Sequence, residues 1–360
     1  MSTPRVSVIM AVYNGARWLA TSLPSVLDQD FRELEFIIVD DCSTDATPEI
    51  LREHPDPRIV YVRNETNIGQ TASLNRALGM ARADWIARID ADDRWLPGKL
   101  GKQMQFLDVH PEVTVLGTWA WRVDLDGRQL GPHNSPVPHA EVIARLLRGV
   151  PVCHVSIVMK RAAAQAVGGY PERYRFAADY GLWSAMARAG GVITNIPERL
   201  TCYLENPATF GAAQKLGAAG DESAEIIRAN ALAFAKIDVP FGDCREIALM
   251  FFPAAGLPAE SLVRAQRTLR RLQRAALGRR PWRVEAELWA MLFWGLCKRW
   301  MTPEDGRPVA REWWGLFGAN LLRPLTALTI VMARLASLGS GAGLRAFKTL
   351  VSPLTLGRRR

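Results

Sequence analysis

Trp85-Ile86-Ala87-Arg88-Ile89-Asp90-Ala91-Asp92-Asp93 is the stretch that decides how the rest of the chain is read. A short β-rich run passes directly into carboxylates, and the same arrangement occurs earlier, where Phe36-Ile37-Ile38-Val39 runs into Asp40-Asp41. Crowded like charges at the end of a buried strand repel and lose solvation unless a cation or hydrogen-bond donors compensate. Where strands alternate with helices, such strand ends line one crevice of a parallel sheet, the place where open α/β folds bind ligands. A divalent metal carrying a diphosphate is the most economical occupant.

Working outward from those strands, residues 6–10 form another β-rich run, broken by Asn14-Gly15 ahead of a helical pattern of Trp18, Leu19, Leu23, Val26 and Leu27. Residues 34–39 and 58–63 read as strands, with Ser43-Thr44-Asp45 and Pro48-Glu49 opening a helix between them. The spacing of Ala72, Leu74, Ala77, Leu78 and Ala81 predicts a helix over 69–81, before the strand 84–89. These βα units predict an α/β fold with a doubly wound, mostly parallel sheet flanked by helices. Farther on, helices are expected over 98–110, 139–148 and 179–189 and strands over 113–123 and 155–160, with a hairpin turn at Asp126-Gly127. The sheet domain is expected to span 1–207, followed by a helical linker over 208–260 and a basic, Trp-rich helical extension over 261–360.

With 360 residues, of which 49% are hydrophobic, the chain can bury a sizeable core. Its five cysteines are scattered without a CxxC pair, a pattern of reduced cytoplasmic thiols rather than of disulfides or zinc. No charged-then-apolar leader precedes the first strand, so a cytoplasmic location is expected. The net charge of +9 is uneven: residues 261–360 carry nineteen Lys/Arg and five Asp/Glu, leaving 26 basic against 31 acidic groups before them. An acidic front and a basic tail imply two jobs. Nothing in the tail resembles a nucleic-acid-binding motif, so no nucleic-acid partner is expected. Residues 262–277 set Leu262, Leu269, Leu272 and Leu277 among arginines, and 285–300 concentrate Trp289, Trp294 and Trp300. Such helices suit either the surface of an anionic membrane or a cap packed on the sheet domain. No stretch is long and uncharged enough to span a bilayer.

Asp90 and Asp92 sit at alternate positions and can address one site, where hard cations such as Mg²⁺ or Mn²⁺ share carboxylate oxygens with phosphates. In the earlier cluster Asp41 is the functional candidate, whereas Ser43 and Asp45 suit helix capping. His154 reads as an orienting or core histidine ahead of a catalytic one. Trp119, Trp121 and Trp183 read as core ahead of sugar-stacking residues.

Taken in order and spacing, Val6-Ser7-Val8-Ile9-Met10-Ala11-Val12-Tyr13-Asn14, Ile37-Ile38-Val39-Asp40-Asp41-Cys42-Ser43-Thr44-Asp45, Asn67-Ile68-Gly69 with Leu74-Asn75-Ala77, and Ile89-Asp90-Ala91-Asp92-Asp93 resemble inverting family-2 glycosyltransferases of the GT-A fold, of the bacterial surface-polysaccharide type. The resemblance continues through Gly168-Gly169-Tyr170 and Ala178-Asp179-Tyr180-Gly181-Leu182-Trp183 and fades after Pro207. It implies that Ala11, Tyr13 and Gly69 line a nucleotide-sugar pocket, that Asp41 reads the base edge, and that Asp90 and Asp92 hold the ribose and the metal-diphosphate. Asp179 matches the catalytic base, which takes the proton of an acceptor hydroxyl as it attacks the anomeric carbon. The chain departs from the family pattern at Ala11, at Cys42 where relatives often carry Gly, at Ala178 where they carry Glu, and at Tyr203-Leu204-Glu205, where many have Arg and His after the Tyr.

The function so implied is metal-dependent, inverting transfer of a sugar from a nucleoside-diphosphate donor to a hydroxyl acceptor, a saccharide that is free or lipid-linked. The enzyme would work on the cytoplasmic face of the inner membrane. A sugar-phosphate nucleotidyltransferase is the rival enzyme class, although the turn Val12-Tyr13-Asn14-Gly15-Ala16-Arg17 lacks that class's Gly- and Lys/Arg-rich triphosphate loop. A non-catalytic sugar-nucleotide or membrane-binding scaffold is the third reading.

Overall fold

The computed structural model describes residues 3–205, 213–250 and 255–278. The chain begins β1 (Val6–Val12), α1 (Ala16–Leu27), β2 (Leu34–Asp40), α2 (Thr47–Glu53), β3 (Ile59–Arg63), α3 (Gln70–Met80) and β4 (Trp85–Arg88). The strands β3, β2, β1 and β4 lie side by side in that order, all parallel. The chain therefore steps outward from β1 to β3 and then returns to the other flank of β1. That reversal opens a crevice at the C-terminal ends of β1 and β4. In register, Val12 lies beside Asp40 and Ile9 beside Arg88, so the acidic strand ends stand on one edge of the sheet.

The inner strands β1 and β2 read as largely apolar runs because both of their faces are covered, whereas the edge strand β3 is only half-buried. Val8, Met10, Phe36 and Ile38 pack on one face with Leu19, Leu23 and Val26 of α1. Ile9, Ala11, Ile37 and Val39 point the other way, toward Leu74 and Leu78 of α3.

The second half follows with β5 (Arg94–Trp95), α4 (Lys99–Val109), β6 (Val113–Val123), β7 (Gln129–His133), α5 (His139–Leu146), β8 (Val158–Lys160), α6 (Arg161–Ala166), α7 (Ala178–Arg188) and β9 (Val192–Leu204). Here the sheet becomes mixed: β8 enters antiparallel between β4 and β6, and β9 runs parallel to β6. The expected strand over 155–160 is shorter, because His154–Ser156 forms a 3₁₀ turn. Ser156 causes this: its Oγ accepts from Thr118 N at 3.0 Å and donates to Thr118 O at 3.1 Å, replacing ladder bonds with side-chain ones. Trp119 and Trp121 are not core residues as expected. Both are half-buried on β6 beneath Arg199 of β9, whose guanidinium lies 5.2 and 4.6 Å from the two rings. Trp183 is fully buried.

Three further α-helices, α8 (Ala213–Asn230), α9 (Phe241–Leu249) and α10 (Ala259–Leu277), with a π-helical turn Ala231–Ala235 after α8, complete the described chain. Ala224 and Ile227 of α8, Ile247 of α9, and Ala265, Leu269 and Leu272 of α10 belong to the same apolar cluster as Tyr180 and Trp183 of α7. The boundary expected at 207/208 lies outside the described residues, and that at 260/261 falls inside α10. The Trp-rich helix expected over 285–300 also lies outside them. No helix among the described residues is long and apolar enough to cross a membrane. In α10 Leu269 and Leu272 are buried against the protein, Leu262 and Leu277 are half-buried, and Arg264, Arg267, Arg271 and Arg274 are exposed.

Because Leu269 is fully buried between α10 and the rest of that cluster, Leu269→Ala should cost about 3 kcal/mol. Urea unfolding should show a single transition at lower midpoint. An unchanged midpoint would mean that α10 does not share the core.

Candidate active site

Arg88, the last residue of β4, is the charge around which the site is built. It is only 2% exposed, yet its Nη2 donates to Asp90 Oδ1, and Asp90 also accepts from Gln70 Nε2 at 3.1 Å. The chain then turns back through Asp93 N, which donates to Asp90 O at 3.2 Å. That turn gathers Asp90, Asp92 and Asp93 so that one oxygen of each lies within 4.8 Å of the others.

The three carboxylates differ in what they are free to do. Asp93 is buried and its Oδ1 accepts from Leu204 N at 2.7 Å, tying the end of β9 to the acidic turn. Burial, followed by the charges of Asp90 and Asp92, holds its carboxyl well above the usual range. Asp92 stands exposed at the rim; desolvation and then the charge of Asp90 push it up to about 6. An all-oxygen donor set of this kind fits Mg²⁺ or Mn²⁺, which take carboxylates plus phosphate and water. Asp90 and Asp92 are the residues that would hold the cation, with Asp93 behind them.

Asp179 stands opposite, in the first turn of α7. It and Asp90 both line a cleft of about 340 Å³, together with Arg88, Gln70, Thr71 and His154. The Asp179 carboxyl is raised, first by burial and also by the charge of Asp90, while the Tyr180 amide at 2.7 Å and Arg88 restrain the rise. A carboxylate raised toward neutrality is a better proton acceptor than an ordinary aspartate. His154 lies in the cleft wall, with Nε2 3.0 Å from the Tyr170 hydroxyl and its ring edge-on to Trp183 at 5.7 Å. Burial and Arg88 keep it well below its usual pKa, hence neutral. That arrangement is an oriented wall residue, as read from the sequence.

The remaining expected residues stand along the same sheet edge but outside that cleft. Ala11 is near the end of β1, and Tyr13 beyond it is 52% exposed. Asp41 is buried, and its oxygens accept from Asn64 Nδ2 at 2.7 Å, Ile68 N at 2.9 Å and Gly69 N at 2.8 Å. It fixes the loop that leads into α3. Gly69 holds φ +91 there, a backbone state open to glycine. Cys42 holds φ +66, a left-handed backbone state that favours glycine over a residue with a side chain. Asp45 caps two helices at once: Oδ1 accepts from Thr47 N at 3.0 Å and Oδ2 from Ala16 N at 3.1 Å.

Several contributors went unread in the sequence. Arg88 had a signal, a charge inside an otherwise apolar strand directly before the acidic cluster. Asn75, read only as part of a motif, exchanges two hydrogen bonds of 2.8 Å with the backbone of Tyr170, in the manner of a strand pair. Arg175, Phe176 and His133, at the cleft, had none, and Tyr203, also at the cleft, stands where the chain departs from the family pattern.

Raised folded-state pKa values favour the protonated carboxyls, so their contribution to stability is fully present below the unfolded value near 4 and declines as pH rises through about 6. In EDTA, melting should therefore weaken between about pH 5 and pH 7, by about 1 kcal/mol once the exposure of Asp92 is allowed for. Adding Mn²⁺ or Mg²⁺ at the higher pH should reverse the loss. Identical melting with and without the ion would contradict a cation site at this cluster.

The Glycosyl transferase family 2 model matches residues 7–168. Bacillus subtilis EpsE, named as a glycosyltransferase, is 37% identical over 214 residues, covering 58% of this chain and 76% of that protein. Escherichia coli WfaP, named as a UDP-Glc:α-D-GlcNAc-diphosphoundecaprenol β-1,3-glucosyltransferase, is 29% identical over 178 residues, covering 49% of this chain and 68% of that protein. Among solved structures, TarS 1–349 of S. aureus superposes with a TM-score of 0.53 at 20% identity, over 86% of this chain and 91% of that one. The mixed sheet with its flanking helices is thus a GT-A fold, and the chain belongs to glycosyl transferase family 2.

Proposed function

We propose that the protein is a metal-dependent, inverting glycosyltransferase that moves a sugar from a nucleoside-diphosphate donor to a hydroxyl of a saccharide acceptor, in the assembly of a surface polysaccharide. The observation that carries this reading is that Asp90 and the raised carboxyl of Asp179 face one cleft with Arg88. The donor would lie along the sheet edge, with Ala11, Tyr13, Asp41 and Gly69 about its nucleoside and Asp90 at its ribose. A cation held by Asp90 and Asp92 would neutralise the diphosphate as it departs.

Asp179 would take the proton of the acceptor hydroxyl while the acceptor oxygen bonds to the anomeric carbon. The bond from that carbon to the diphosphate breaks in the same displacement, and the electron pair leaves with the diphosphate. Attack from the face opposite the leaving group inverts the centre. Arg88 would keep the crowded acidic wall folded during this change, and His154, neutral and held by Tyr170, would shape the acceptor side.

The name of WfaP, whose substrate is a saccharide on diphosphoundecaprenol, supports a lipid-linked acceptor for this chain as well. Work on such an acceptor would bring the enzyme to the cytoplasmic face of the inner membrane. There the exposed arginine stripe of α10 offers an electrostatic contact with anionic lipid, weakened by salt.

Transfer from UDP-, GDP- and dTDP-sugars, followed with and without EDTA, tests the reading. Asp179→Asn should lower kcat by about 10²- to 10⁴-fold, Asp92→Ala should remove the response to metal, and the product should carry the opposite anomeric configuration by NMR. Undiminished metal-dependent transfer by both variants would overturn it.

A further inference from the structure

The N-terminus of α7, which carries Asp179, is held by a residue far along the chain. Ala177 is the N-cap of that helix, and it has no side-chain cap of the usual local kind. Instead three successive amides point at one carboxylate: Arg175 N donates to Glu222 Oε1 at 2.9 Å, and Phe176 N and Ala177 N donate to Oε2 at 2.8 and 2.9 Å. Consecutive N–H groups that converge in this way form an anion-binding concavity. Here the anion is the protein's own, and bonds from amides to a charged acceptor are stronger than neutral ones.

Glu222 is itself fixed. It lies on α8, where Ala224 and Ile227 are fully buried. One helical stretch beyond it, Asn230 Nδ2 donates to Ser184 Oγ of α7 at 2.9 Å and accepts, at Oδ1, from Arg188 Nη1 at 2.7 Å. Helices α7 and α8 are thus pinned at both ends of their contact, which fixes their register. The residues so clasped, Arg175 and Phe176, line the cleft with Ala178 and Asp179 immediately after them.

We propose that Glu222 is a positioning residue for glycosyl transfer: by clasping amides 175–177 it holds the side of the cleft that bears Asp179 at its working distance from Asp90. The inference rests on the reading of Asp179 as the base. Glu222 touches no reacting atom, and its effect passes through the backbone of one short segment. Misplacement of a reacting group by about 1 Å can cost about 100-fold in rate, so a clasp of this kind has leverage on turnover without bearing on the donor, which would lie along the opposite wall.

The test compares Glu222→Gln and Glu222→Ala with the full-length enzyme. Glutamine keeps one acceptor oxygen for three amides, and alanine keeps none. We expect kcat to fall about 10-fold in the first and about 100-fold in the second, with donor KM within about twofold of the parent. Amide hydrogen exchange at 175–177 should rise while that of β1 and β2 stays unchanged. Arg245→Ala, which removes the exposed partner of Asp221 one residue away, should leave both constants unchanged. Parent-like kcat in Glu222→Ala, or a parallel change of kcat and donor KM, would overturn the proposal. If the alanine variant fails to fold, the glutamine variant carries the same decision. Full activity in Asp179→Asn would instead refute the assignment of the base, leaving the exchange result to report on the clasp alone.

Discussion

One buried guanidinium sets the terms for everything around it. Arg88 is almost wholly removed from water, and its Nε has no hydrogen-bond partner. Its charge lowers the pKa of Asp92, Asp93 and Asp179 and bonds directly to Asp90. Taking one cation into the interior is costly, and so is crowding four carboxylates; together each offsets the other's desolvation. The balance is not complete, because Asp92, Asp93 and Asp179 all remain above their usual range. A cation held at Asp90 and Asp92 would complete that balance.

That charge balance requires the cleft to be assembled from distant pieces. Asp90 and its neighbours come from the end of β4, Gln70 from the start of α3, His154 from the turn before β8, and Asp179 from α7. Each piece is held by side chain to backbone bonds rather than by the sheet alone. Asn75 pins the backbone at Tyr170, and next to it Gly169 has φ +73 and no room for a Cβ, which would meet Asn75 Oδ1 at 2.7 Å. Asp93 pins the end of β9, and Asp41 pins the loop before α3. Carboxylates and amides of this chain therefore serve as internal fasteners.

The sequence made some of this legible and hid the rest for physical reasons. β1 to β4 were readable because their residues are mostly apolar and β-rich, and because Asn14-Gly15 and Ser43-Thr44-Asp45 mark turns between them. Asp90 was readable as a site candidate because a charge at the end of a buried strand needs a purpose, whereas Asp179 stood out only through the resemblance to the family. β9 was not readable: Thr194, Asn195, Glu198 and Arg199 interrupt any alternation, and a register shift at Thr118/Trp119 lets the strand follow β6 regardless. Trp119 and Trp121 misled because their cover is an arginine on that unread strand. Glu222 was invisible because its partners are backbone amides, which leave no trace in residue type.

The shared core of α5, α7, α8, α9 and α10 also has a temporal side. The apolar wall of α7, with Tyr180 and Trp183, is covered in part by Leu269 and Leu272, which are synthesised long after the sheet is complete. At about 5–20 residues per second, a nascent chain would wait roughly 4–14 s between the emergence of β9 and that of α10. Throughout that interval the half-finished protein presents a greasy surface to the cytosol. The residues of α8 and α9 that share this cluster emerge within the interval and narrow what is left for α10 to cover.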